Sequence, residues 1–307
     1  MDRFPKLKTE LARRCPTLVL REEEPMHAHT SFRIGGPAAL MALPRSAQEA
    51  AAAVETAAEL GVEPFFLGNG SNLLVDDNGV RRFMIKTFDG LGTVRLDGET
   101  ALYAESGVLL SRLAVFAMEH ALSGLEFAHG IPGTLGGAVT MNAGAYGGEM
   151  AQVVLETSYL DCAGNPGIVR GKEHGFSYRN SIFSGAERFI LGARLELKPG
   201  ERAQIRADMA RLSQQRRSKQ PLEYPSAGST FKRPEGHYAG ALIEQCGLKG
   251  LFVGGAQVSE KHAGFLINRG GATCADMLRL MDKVRETVLR QTGVELEPEV
   301  RILLEKE

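Results

Sequence analysis

His129-Gly130-Ile131-Pro132-Gly133-Thr134-Leu135-Gly136-Gly137-Ala138-Val139-Thr140-Met141-Asn142-Ala143-Gly144-Ala145-Tyr146-Gly147-Gly148 is the glycine-dense centre of this chain. Glycine lacks Cβ, so it tolerates positive φ and lets a ligand lie against bare backbone. Ile131-Pro132-Gly133 reads as a rigid turn, because proline fixes φ and glycine can take the next position. A second such stretch stands upstream, Phe66-Leu67-Gly68-Asn69-Gly70-Ser71-Asn72-Leu73-Leu74-Val75. Either loop alone could be an ordinary tight turn. Two of them, both with apolar flanks and free backbone N–H groups, favour a bound pyrophosphate.

Working outward, residues 38–44 read as a short buried strand. Ser46-Ala47-Gln48-Glu49 is a capping box that opens an alanine-rich helix to about Leu60, stopped by Gly61. Residues 64–67 then form a strand that delivers the first glycine loop. This is a βαβ unit with the loop at the strand's carboxyl end, where ligands bind in such sheets. Upstream, Leu7, Leu11 and Cys15 share a helical face that Pro16 ends. Arg21-Glu22-Glu23-Glu24-Pro25 reads as a solvated linker. His27 and His29 alternate but have no carboxylate or cysteine close by, which favours a surface strand over a metal site.

Downstream, residues 83–86 are a strand, with further strands from Gly90 onward. Ser111 is expected to cap a helix carrying Leu113, Phe116 and Ala117, closed by Gly124. Residues 153–161 and 188–197 read as strands, and Pro199-Gly200 as a boundary. A basic helix covers 202–218, and a shorter one covers 238–246. Short strands are expected at 253–258 and 264–267. Thr273-Cys274-Ala275-Asp276 caps a helix with Met277, Met281, Val284 and Val288 on one side. The last element alternates, with Val294, Leu296, Val300 and Ile302 on its apolar face and Glu295, Glu297, Glu299 and Arg301 on the other.

The 307 residues carry a net charge of -1, are 43% hydrophobic and contain no tryptophan. No global basic field recruits nucleic acid, and no aromatic platform for single strands is expected. Cys15, Cys162, Cys246 and Cys274 fit no C-x-x-C or zinc spacing and read as buried thiols of a reducing compartment. The amino terminus shows no apolar signal region and no apolar run could span a membrane, so a cytoplasmic protein is expected; it is taken to be a monomer.

Four polar places could carry chemistry. Arg179, in Phe176-Ser177-Tyr178-Arg179-Asn180-Ser181, could clamp a carboxylate or phosphate through two N–H groups, or be a surface ion pair. Ser229, beside Gly228, is in no nucleophile-elbow pattern, and its residues alone favour a structural turn. Glu299 falls on a polar strand face, whose default is solvation. Arg216 and Lys219 close a basic helix, either complementing its dipole or holding the anionic part of a nucleotide.

Taken together, G-N-G-S-N-L-L at 68–74, G-I-P-G-T-L-G-G-A at 130–138, N-A-G-A-Y-G-G-E at 142–149, Y-R-N-S at 178–181, S-A-G-S-T-F-K-R-P at 226–234 and P-E-V at 298–300 resemble the UDP-N-acetylenolpyruvoylglucosamine reductase family. The tight 178–189 region resembles its shorter subtype, which lacks a tyrosine-bearing loop. The resemblance implies an α+β FAD-binding fold of the vanillyl-alcohol-oxidase type. It implies two FAD subdomains, 1–88 and 89–198, and a substrate domain, 199–307. It implies non-covalent FAD, NADPH as reductant and a peptidoglycan precursor as substrate. Hydride would pass from flavin N5 to the enolpyruvyl C3 and a proton from Ser229 to C2, giving UDP-N-acetylmuramate. Arg179 and Glu299 would stabilise the enolate-like species, Glu299 as the neutral acid, which needs a raised pKa.

The same resemblance assigns FAD to Gly68, Asn69, Gly70, Ser71, Asn72, Gly130, Ile131, Pro132, Gly133, Gly136, Gly137, Asn142, Gly144 and Ala145. It assigns the substrate's anionic part to Tyr178, Arg216 and Lys219. Two alternatives stay open: a flavin-dependent sugar or alcohol oxidase of the same fold, and a nucleotide-binding regulatory protein without turnover.

Overall fold

The computed structural model describes residues 3–88, 90–185 and 188–305. The chain forms two compact units, each assembled from separate segments. The first comprises Met1–Glu22, Leu40–Asn69 and Arg82–Gln214; the second comprises Glu23–Ala39, Gly70–Arg81 and Gln215–Glu307. The expected limit between 88 and 89 falls on Asp89, outside the described residues. The expected limit between 198 and 199 falls inside the first unit, which runs on to Gln214.

Among the described residues, two larger sheets lie mainly in the first unit. One is four-stranded, in the order Val19–Pro25, Pro37–Leu43, Val80–Lys86, Pro64–Leu67. The strand-helix-strand passage is present, but Val80–Lys86 lies between its two strands and runs parallel to Pro64–Leu67, with Phe65 opposite Met84. The helices Phe4–Arg14 and Ala47–Glu59 form one core with this sheet. Leu7 and Leu11, four apart, supply one helix; Ala50, Ala53, Val54 and Ala57, at helical spacing, supply the other. Ser46 Oγ accepts from the Glu49 N–H at 3.1 Å, so the cap is there. The return half differs from expectation, because the Glu49 carboxylate accepts from the N–H of Arg45 at 2.7 Å. The charged run 21–25 is no linker; it continues the edge strand Val19–Pro25, where charged side chains discourage further pairing.

The second sheet is antiparallel, in the order Pro166–Arg170, Val154–Leu160, Phe189–Glu196, Ala101–Glu105, Val94–Leu96. Helix Leu110–Glu119 starts one residue before the expected cap. Ser111 therefore sits in the first turn, because Leu110 is drawn into the core beside Leu113 and Ala117. The chain turns away at Ala121, at φ +56, before Gly124 is reached. The 178–189 stretch, expected to leave no room for an inserted loop, includes residues 186 and 187, which lie outside the described residues.

The second unit has a three-stranded antiparallel sheet, Phe252–Val253, Ala256–Val258 and Leu266–Asn268, packed with helix Cys274–Thr292. Thr273 and Asp276 form a reciprocal capping box, and Met277, Met281, Val284 and Val288 are all buried. The final alternation holds for Leu296 and Val300 and then fails: Leu303 is buried and Ile302 exposed. Only Arg301–Leu303 is strand, paired in parallel with Leu73–Val75, and the preceding stretch bends through Pro298. Of the four cysteines, all free, only Cys274 is buried; Cys162 is exposed and Cys15 and Cys246 are half-buried. Burial and the neighbouring charge of Asp77 push the Cys274 thiol up to about 12. His27 lies in the one-turn helix Met26–Ala28, and His29 Nε2 meets Glu24 Oε1 at 2.7 Å. Among the described residues no helix is long and apolar enough to cross a membrane.

Candidate functional site

In the first unit the two glycine loops are tied together. Gly68 and Asn69 follow strand Pro64–Leu67, and Asn69 Nδ2 donates to the Pro132 carbonyl at 2.7 Å. A Cβ on Gly68 would stand 2.4 Å from Thr134 Oγ1, and one on Gly136 would stand 2.9 Å from Ser106 Cβ. These two glycines are therefore required by the approach of protein to protein, and a larger residue at either would force the loops apart.

Thr134 and Ser106 are almost wholly buried, yet neither hydroxyl has a hydrogen-bond partner among the described residues. A buried hydroxyl left unpaired is costly, and two together against a glycine loop are suited to a bound polar group. Sequence reading passed over both. The signal was a small hydroxylic residue, Thr134, beside the Gly136-Gly137 pair. Gly133 accepts from Leu110 N–H and Leu135 N–H donates to Val108, which fixes the loop on helix Leu110–Glu119. Residues 135–140, read as loop, make a short helix, Leu135–Thr140. Beyond it Gly144–Ala145 pairs with Gly148–Glu149 across a two-residue turn, Tyr146 and Gly147, both at positive φ.

Asn142 lies at φ +42, in the left-handed region that asparagine tolerates better than most residues. Its side chain is buried: Oδ1 accepts from Ala151 N–H at 2.9 Å, and Nδ2 donates to the Ser177 carbonyl at 3.2 Å. Ser177 and Asn180 flank a two-residue turn and exchange N–H···O bonds of 3.1 and 3.2 Å. Tyr178 and Arg179 are that turn. Arg179 sits at φ +55, with its guanidinium 5.1 Å from the Tyr178 ring centre. A β-carbon residue held in the left-handed region costs roughly 1–2 kcal/mol.

In the second unit, the segment that follows Ser229 is paired with the segment that carries Glu299. Phe231 pairs antiparallel with Pro298, Lys232 N–H donates to the Glu297 carbonyl at 2.8 Å, and Glu299 N–H donates to the Thr230 carbonyl at 2.8 Å. The residue after Ser229 thus holds the backbone of Glu299. Ser229 is exposed and follows Gly228 at φ +78; Glu299 is half-buried, not on an open polar face. Asn72 holds the same segment from the first glycine stretch: Nδ2 donates to the Glu299 carbonyl at 3.0 Å, and the Asn72 carbonyl accepts from Arg301 N–H at 3.1 Å. Gly70, at φ +61, lies so close to the His29 carbonyl that a Cβ would come within 1.9 Å of its oxygen, and its own carbonyl accepts from Ser31 N–H. Arg216 and Lys219 occupy the last turn of helix Arg202–Lys219, one half-buried and the other exposed. Among the described residues no group of three or more histidine, cysteine or carboxylate side chains could hold a metal.

The chain is similar to known proteins along most of its length. Residues 38–169 match the FAD binding domain family, and residues 220–303 match the family described as UDP-N-acetylenolpyruvoylglucosamine reductase, C-terminal domain. UDP-N-acetylenolpyruvoylglucosamine reductase of Caldanaerobacter subterraneus subsp. tengcongensis is 50% identical over 283 residues, 92% of this chain and 93% of that protein. The crystal structure of UDP-N-acetylenolpyruvylglucosamine reductase from Thermus caldophilus superposes with a TM-score of 0.80 at 34% identity, covering 93% of this chain and 98% of that one. Phl p 4.0202, a glucose dehydrogenase, shares the fold alone, at 16% identity and a TM-score of 0.50 over 66% of this chain and 45% of that one. The fold is the α+β FAD-binding fold that vanillyl-alcohol-type oxidases also have. The chain belongs to the UDP-N-acetylenolpyruvoylglucosamine reductase family.

Proposed function

We propose that the chain reduces the enolpyruvyl ether of UDP-N-acetylglucosamine to the lactyl ether of UDP-N-acetylmuramate, a step of peptidoglycan precursor synthesis, with NADPH as reductant. The orphaned hydroxyls of Ser106 and Thr134 beside the glycine loops fit FAD held without a covalent tether. Gly68, Asn69, Gly70, Ser71, Gly130, Ile131, Pro132, Gly133, Gly136, Gly137, Gly144 and Ala145 would hold it. FAD, when bound there and reduced by NADPH, would supply hydride chemistry for C3 of the enolpyruvyl group.

The rest falls to side chains of this chain. Arg179 donates paired N–H groups to the substrate carboxylate, which draws electron density off C3 and stabilises the enolate-like species. Glu299 stabilises the same species. Ser229 then gives its proton to C2. A serine hydroxyl is a weak acid, but an enolate carbon is a strong base, and exposed Ser229 can recover its proton from water. Atoms balance: C3 gains hydride, C2 gains a proton, and the double bond between them becomes single. Tyr178, Arg216 and Lys219 bind the anionic part of the sugar nucleotide. The protein works as a cytoplasmic monomer on this small molecule, without nucleic acid.

The observation that carries this reading is the pairing of 230–232 with 297–299, which sets a hydroxyl and a carboxyl on neighbouring backbones. The test is an anaerobic visible spectrum, titrated with NADPH and then with the enolpyruvyl sugar nucleotide. Flavin bands that bleach with NADPH and return with that substrate are expected. Bands that return with oxygen alone would point to a sugar or alcohol oxidase, in which Ser229→Ala would change little. Nucleotide binding without any NADPH consumption would point to a regulatory protein.

A further inference from the structure

We propose that Asn142 is a positioning residue for Arg179, and that its amide serves this turn and not the flavin. The inference rests on the reading of Arg179 given above. Both amide atoms of Asn142 are already committed, one to the Ala151 N–H and one to the Ser177 carbonyl, and the side chain is 2% exposed. Reversing the amide would set N–H against N–H and oxygen against oxygen, so only one orientation pairs both groups.

Ser177 is the first arm of the turn that carries Arg179. Its carbonyl has two lone pairs, one taken by Asn180 N–H and the other by Asn142. The second arm is held from the same loop, because Ser181 Oγ donates to the Thr140 carbonyl at 2.8 Å. Both arms are therefore anchored on residues 140 and 142 of the glycine-rich stretch. The left-handed φ of Arg179 is a conformation that relaxes unless its surroundings fix it. Asn142 is the buried group that fixes the first arm. Ordering of the 130–149 loop is thereby linked to the direction of the Arg179 guanidinium.

The sharpest test is Asn142→Asp. It keeps shape and the bond from Ala151 N–H but sets a carboxylate oxygen against the Ser177 carbonyl. Three quantities are read: FAD bound per chain, the rate of bleaching by NADPH, and the rate at which the enolpyruvyl sugar nucleotide restores the bands. We expect the first two within about twofold of the parent and the third slowed roughly 10- to 100-fold, the range for a misplacement of about 1 Å. In an Arg179→Lys background the same substitution should add less than about threefold, because the effect acts through that guanidinium. Asn142→Gly, which keeps the left-handed backbone, should behave likewise and serves if the aspartate variant does not fold.

An unchanged return rate would overturn the assignment, as would a full-sized effect persisting without Arg179. Loss of FAD in both variants would also overturn it and would make Asn142 a cofactor-loop residue. If the parent protein itself fails to bleach and recover, the proposed reaction falls, independently of what Asn142 does.

Discussion

Arg179 at φ +55 gives a prediction whose size can be worked from the backbone alone. Compare Arg179→Gly with Arg179→Ala. Both remove the guanidinium and its stacking on Tyr178, so those losses cancel between them. Alanine keeps the left-handed penalty of roughly 1–2 kcal/mol, because its Cβ still crowds the carbonyl. Glycine escapes that penalty but gives the unfolded chain more freedom, which costs about 0.4–1 kcal/mol. The glycine variant should therefore be more stable than the alanine variant by about 1 kcal/mol, near fivefold in the folding equilibrium. Arg179→Asn should sit close to glycine, since asparagine accepts the same region. All three should lose turnover with FAD retained. Urea unfolding of the three variants at one pH, read by far-ultraviolet circular dichroism, measures the order. An alanine variant as stable as the glycine variant would mean that the turn relaxes in solution, and the argument for a strained arginine would fail.

Three further outcomes are expected. Gly70→Ala combines a left-handed φ with a backbone oxygen 1.9 Å from the new Cβ, whereas Gly228→Ala has φ +78 and open space. Urea midpoints should show the first losing more than about 3 kcal/mol, strain plus clash, and the second only about 1–2 kcal/mol. Asn72→Ala removes the donor to the Glu299 carbonyl; substrate-driven reoxidation should slow at least about tenfold with NADPH bleaching unchanged, as rapid-mixing absorbance would show. His174 is buried between Thr157 and the Gly171 carbonyl, and burial holds its folded pKa below the usual 6.5. The unfolded chain then binds the proton first, so its stabilising effect is complete above about pH 6.5 and declines as pH falls toward the folded value. His174→Gln should flatten the fall in urea midpoint between pH 7.5 and 5.5, and an unchanged slope would exclude His174 as a contributor.

What sequence could and could not reveal follows from the range of the forces involved. Helix Cys274–Thr292 was legible because its cap, its apolar stripe and its terminal Gly293 lie within one local run. So was Ala47–Glu59, with Ser46 before it and alanines at helical spacing. The edge strand at 19–25 was missed because charge there reports solvent on the side chains and says nothing of backbone pairing. The failure at Ile302 has the same origin, since period-two reasoning assumes a strand that here begins only at Arg301. The placing of Gly70–Arg81 with the second unit and Leu40–Asn69 with the first depends on contacts far apart in sequence, which periodicity cannot register.

The two asparagines show where motif reading stops. N-A-G at 142–144 and S-N-L at 71–73 both sit in glycine-rich company, and such company suggests that every polar member faces a ligand. The side-chain amides of both also bond to distant backbone. Asn142 reaches the Ser177 carbonyl, 35 residues on, and Asn72 reaches the Glu299 carbonyl, 227 residues on. A glycine loop that lies against a large cofactor has little side-chain bulk of its own with which to hold neighbouring chain. A short amide with one donor and one acceptor face can do so without intruding on the ligand. In each loop the glycines and the asparagine therefore have different tasks. The glycines admit close approach of neighbouring chain, as at Gly68 and Gly70, and the asparagine ties its loop to a distant segment.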